Sequence, residues 1–129
     1  MFYPHTRDTG AVQPWEYLPA AAGTYKSGQL LTVSSGKLTA LSAASTTTPP
    51  YVCMADATVA DGENLPVIRV AGDTIYETTL SAAAASAAVG SKLEVSKGGM
   101  QVDATAAGTF EVTYLDGTAA GDMVRGRFL

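Results

Sequence analysis

The sequence predicts a small all-β fold: a barrel or sandwich of short antiparallel strands, with an extended N-terminal arm and at most one short helix. Three observations predict it. From Thr24 onward, short runs of Leu, Val, Ile, Thr and Tyr are separated by Gly, Asp-Gly and Ser-Gly about every ten residues, the punctuation of hairpins. The first 22 residues hold Pro4, Pro14 and Pro19 among Phe2, Tyr3, Trp15 and Tyr17. Only one stretch, Ser81 to Ala88, reads as a plausible helix, and it spans about two turns.

The elements follow in chain order. Residues 1–22 are expected to form an arm, because proline fixes φ and removes a backbone donor. Its aromatic rings are too apolar to be left in water, so the arm needs a surface to lie on. Residues 23–129 are expected to form a single β domain, with strands near 30–33, 37–41, 51–55, 65–71, 74–80, 92–95, 99–103, 109–115 and 122–128. Ser34-Ser35-Gly36, Ala71-Gly72-Asp73 and Lys97-Gly98-Gly99 supply the clearest turns. Residues 45–50 form a loop, since Pro49-Pro50 cannot join a ladder. The alanine-rich stretch 81–88 has two readings: a two-turn helix capped by Ser81 and ended by Gly90, or a small-residue loop lying close to a neighbour.

An internal echo runs through the chain. Gly28-Gln29-Leu30-Leu31-Thr32-Val33-Ser34-Ser35-Gly36-Lys37-Leu38 and Gly90-Ser91-Lys92-Leu93-Glu94-Val95-Ser96-Lys97-Gly98-Gly99-Met100 share G-x-x-L-x-V-S-x-G-x-(L/M). Ala60-Asp61-Gly62 before 65–70 parallels Ala119-Ala120-Gly121 before 123–129. A duplicated hairpin-plus-strand unit explains both. The alternative is that hairpins bounded by glycine resemble one another by composition.

Composition narrows the function classes. The 129 residues fit one domain, but the 22 alanines, against three Phe, one Trp and two Ile, leave little large apolar area for a core. Marginal small domains gain stability by assembling, so a partner or a homo-oligomer is expected. A net charge of -4 with only eight scattered Lys and Arg argues against nucleic acid. No apolar run approaches the roughly 20 residues of a membrane helix, and the start of the chain lacks the pattern of a secretory signal. Synthesis and retention in the cytoplasm are therefore expected. The single cysteine, Cys53, excludes an intramolecular disulfide and reads as a small core residue.

No chemistry-bearing constellation stands out, so neither a catalytic site nor a cofactor nor a metal is expected. His5 is the only histidine and has no Cys, Asp or Glu at ligand spacing. Asp61, Glu63, Asp73, Glu77 and Asp116 could supply a carboxylate pair for glycoside hydrolysis, but most sit in turn contexts. Gly98-Gly99 lacks the Lys-Ser and the helix of a phosphate loop. The candidate partner-binding residues are the arm aromatics Phe2, Tyr3, Trp15 and Tyr17. They suit burial in a partner or, as a second reading, stacking on a sugar.

The segments Gly28–Val33 with Gly36-Lys37-Leu38, Asp61-Gly62 before 65–70 with Ala71-Gly72-Asp73, and the ending Gly117 to Phe128 carry a likeness. Over residues 23–129 the chain resembles the small capsid decoration, or cement, proteins of tailed bacteriophages, also found as the capsid-bound part of head fibres. The resemblance implies a compact β-barrel-like domain that trimerises on the outside of an icosahedral head. It also implies an N-terminal arm touching the major capsid protein, and a virion location after synthesis in the host cytoplasm. The aromatic start through Leu18 and the alanine run have no counterpart in that pattern. A carbohydrate- or receptor-binding module is the alternative, and a small hydrolase a third possibility if two carboxylates converge.

Overall fold

The computed structural model describes residues 1–129 and contains twelve strands and no helix. They are β1 (Tyr3–Arg7), β2 (Glu16–Pro19), β3 (Gly23–Tyr25), β4 (Leu30–Ser34), β5 (Lys37–Ala40), β6 (Tyr51–Cys53), β7 (Ala57–Val59), β8 (Asn64–Arg69), β9 (Thr74–Thr79), β10 (Lys92–Leu93), β11 (Phe110–Leu115) and β12 (Met123–Phe128). Two five-stranded antiparallel sheets, β1-β9-β12-β11-β10 and β2-β8-β6-β4-β5, stand beside a β3-β7 ribbon. Alternation drives the long strands: β9 and β12 bury every second residue, as a sheet with one face on a core requires. Ser35 and Gly36 both adopt positive φ, 50° and 75°, which gives the β4–β5 hairpin the two-residue turn that matches strand twist.

The echo in the sequence is a duplication in the structure. In one sheet β2 pairs with β8, β8 with β6, β6 with β4 and β4 with β5; in the other, β9, β12, β11 and β10 repeat the positions of β2, β8, β6 and β4. Register agrees residue by residue. Glu16↔Val67, Tyr17↔Pro66, Leu18↔Leu65 and Pro19↔Asn64 correspond to Tyr76↔Gly126, Glu77↔Arg125, Thr78↔Val124 and Thr79↔Met123. Gly28 N–H donates to Cys53 O and Cys53 N–H to Gln29 O; Gly90 donates to Val112 and Val112 to Ser91 in the same way. Parallel bridges Ala20–Leu38 and Leu80–Val102 draw each sheet closed at matching corners. Side chains repeat too: Glu63 caps the Ala60 N–H at 3.0 Å, and Asp122 caps that of Ala119 at 2.9 Å. Bonds this specific require more than shared composition.

Each copy builds its own core. Ala20, Leu31, Leu38, Tyr51, Cys53, Leu65 and Val67 pack together in the first. Leu80, Leu93, Val102, Phe110, Val112 and Val124 take those places in the second. Where the first copy has Val67 the second has Gly126, because a Cβ there would run into the backbone carbonyl oxygen of Glu111 and stand 2.6 Å from Cε1 of the Phe110 ring. The opposite face of β4, β6 and β8 contributes Leu30, Val52 and Ile68 to the larger cluster, which locks the two sheets into one body.

The expected division at residue 22 is corrected. Residues 1–22 are not an arm lying outside the ladder, since β1 pairs with β9 and β2 with β8. Proline is tolerated because Pro4 falls where its missing N–H would point away from β9, and a bulge follows between Pro4 and Thr6. Residues 81–88 take the second reading: they are a tight loop in which the Ala84 N–H reaches Thr118 O at 2.8 Å, a close approach that small side chains permit. The expected strand at 99–103 reduces to isolated bridges from Val102, antiparallel to Val95 and parallel to Leu80. Cys53 is fully buried, its thiol donates to Ala55 O at 3.1 Å, and burial pushes its pKa up. Cys53→Ala should therefore cost only about 1 kcal/mol, read as a small drop in the urea midpoint, with partner binding unchanged.

Candidate partner-binding surface

The four aromatics do not share a fate. Phe2 has no exposed surface: it sits edge-on to Phe110 at 5.9 Å and against Phe128 at 6.0 Å, and its N–H donates to Gly28 O. A ring held in the centre of the core cannot anchor a partner, so Phe2 leaves the candidate set. Tyr3, Trp15 and Tyr17 remain, exposed at 50%, 50% and 62%.

Trp15 and Tyr17 lie two residues apart on or beside a strand, so their side chains project to the same side. The chain leading to them leaves β1 at Arg7, crosses from one sheet to the other and enters β2. Val12 on that crossing is 89% exposed, a large apolar residue that sequence reading passed over because no periodicity marks it. The crossing is nonetheless tethered. Arg127 makes a two-pronged ion pair with Asp8, at 3.0 and 2.9 Å, and Arg7 bonds both Asp73 at 3.0 Å and Ala11 O. Beneath it a groove of about 450 Å³ runs between the sheets, lined by His5, Arg7, Val12, Trp15, Ile68 and Tyr76 among others.

The Arg127 guanidinium beside Asp8 holds that carboxyl below its ordinary value of 3.8. A carboxylate depressed in the folded state contributes stability that is complete above the unfolded pKa and is lost as pH falls through the lowered one. Amide exchange at Asp8, Gly10 and Ala11, whose N–H groups are bonded in the folded chain, should thus be constant from pH 7 down to about 4, after correction for intrinsic rates, and should accelerate only below that.

Of the candidate carboxylates, Asp61, Glu63, Asp73 and Glu77 are engaged in the framework, and Asp116 makes no side-chain hydrogen bond or ion pair. Asp61 pairs with Lys37, Glu77 with Arg125 at 2.9 Å and with His5 at 3.9 Å, and Glu16 with Arg69 at 2.9 Å. Glu63 is a turn cap, Asp73 holds Arg7, and no three His, Cys, Asp or Glu side chains gather as a metal site would require. Val12, Trp15 and Tyr17 thus form a strip of exposed apolar side chains that follows a segment tethered by ion pairs. No protein-family model matches this sequence, and a search of curated proteins finds no match.

Proposed function

We propose that this chain is a non-enzymatic structural protein of a tailed-phage virion that decorates or stabilises the head by binding the outer surface of the major capsid protein, as a homotrimer. The observation that carries this reading is the strip Val12, Trp15 and Tyr17. Apolar side chains so exposed on a segment pinned by ion pairs suit a preformed contact surface, and large aromatics dominate the energetics of such contacts. The pattern of residues 23–129 that resembles capsid decoration proteins supports the same reading.

The groove favours a second reading, a carbohydrate- or receptor-binding module, because it places the Trp15 ring beside His5 and Arg7. Two measurements separate them. Purified protein mixed with heads of the phage that encodes it should co-sediment to saturation and run alone as a trimer at micromolar concentration. Capture by a glycan array, with no co-sedimentation, would transfer the assignment to the second reading.

A further inference from the structure

The chain holds Asp-Gly at Asp61-Gly62 and at Asp116-Gly117, and the fold treats the two pairs differently. Aspartate before glycine is the pair in which the second residue's peptide nitrogen most readily reaches the first residue's carboxyl. Glycine has no Cβ to obstruct the approach and the widest backbone freedom to make it. At Asp61-Gly62 both reacting groups are spent. Lys37 hydrogen-bonds the Asp61 carboxyl at 2.6 Å and holds it below its ordinary range, in the ionised form that does not give up oxygen. The Gly62 N–H donates to Ala20 O at 2.8 Å. At Asp116-Gly117 neither group is spent. Asp116 is exposed, its carboxyl has no hydrogen bond or ion pair, and the Gly117 N–H has no partner in the protein. The anchors lie on either side: the Asp116 N–H donates to Met123 O at 3.0 Å, and Thr118 O accepts from the Ala84 N–H at 2.8 Å. A Cβ on residue 117 would run into the Asp122 carboxylate, itself held by the Ala119 N–H at 2.9 Å, so glycine is fixed at that place.

We infer that Asp116-Gly117 is a site of spontaneous covalent modification in the folded protein, the aspartate converting to isoaspartate, while Asp61-Gly62 is protected. The reaction balances in water alone. The Gly117 nitrogen attacks Cγ of the protonated Asp116 carboxyl and gives its proton to solvent; the carboxyl hydroxyl takes up a proton and leaves as water, closing a succinimide ring. Hydrolysis returns that water. Opening at the side-chain carbonyl restores aspartate, whereas opening at the main-chain carbonyl leaves isoaspartate, with the chain routed through Cβ and Cγ and a free α-carboxylate in place of the side-chain one. Net charge is unchanged. The main chain gains a methylene at the end of the β11–β12 ladder, between the Asp116 and Thr118 anchors. The product carries the group that isoaspartyl methyltransferases esterify with S-adenosylmethionine. Because the conversion needs no partner, it goes beyond the head-binding reading and does not depend on it.

Ageing of the full chain at physiological temperature and neutral pH, followed by peptide mapping with electron-transfer fragmentation, tests this. Isoaspartate, with a smaller population of succinimide lighter by one water, should accumulate at residue 116 about tenfold or more faster than at residue 61, where the Gly62 hydrogen bond and the Asp61 ion pair must first open. In chain unfolded by denaturant the two rates should converge. Methyl transfer from labelled S-adenosylmethionine by an isoaspartyl methyltransferase should rise in step with age. Asp116→Glu should abolish that rise and leave the melting temperature unchanged, since the larger ring closes far more slowly. Equal rates at residues 116 and 61 in the folded chain, or conversion at residue 116 only in denaturant, would overturn the inference.

Discussion

Phe2→Ala should destabilise the protein by about 3–5 kcal/mol, enough to unfold much of the population of a small domain. The ring is fully buried in the cluster that holds Phe110, Phe128 and Tyr76, where the two sheets meet, and its removal opens a cavity in that packed core. Deleting residues 1–22 should be worse. It removes Phe2, strips β1 from β9 and β2 from β8, and takes Ala20 from the first core. A chain starting at Gly23 should therefore lack a cooperative thermal transition by circular dichroism. A preserved melting temperature in either variant would show that the N-terminal strands are appendages after all.

Trp15→Ala should behave in the opposite way. The ring is half exposed and belongs to neither core, so the fold should lose little, whereas attachment to heads should weaken by about 2 kcal/mol or more, as hot-spot aromatics do. Measured as the midpoint of a head-binding titration, that is a shift of roughly 30-fold or more. Tyr17→Ala should shift the same titration, and Val33→Ala, an exposed apolar residue on β4, serves as the control that should not. Equal affinity of the Trp15 variant and the native chain would remove the strip from the interface.

The contrast between Phe2 and Trp15 shows where the sequence was readable. Both are aromatic residues in a proline-rich start, and nothing in residues 1–22 distinguishes the core ring from the surface ring. The difference comes from pairing across long separations, Tyr3 with Glu77 and Glu16 with Val67, which no local pattern encodes. Strands with clean alternation, such as β9, β11 and β12, were legible because each buries one face. β1, β2, β3 and β7 were not: proline masked the first two, and the other two are three-residue ribbons too short to show a period. The duplication was legible because glycine positions and branched residues repeat together.

The most direct test of the account is electron cryomicroscopy of heads saturated with the purified chain. The account predicts added density on the outer face of the shell, three chains grouped about each occupied position, with the Val12–Tyr17 strip against the major capsid protein. Heads that carry no added density at saturating concentration of folded protein, or density that contacts the shell only through the β4–β5 hairpin, would contradict it.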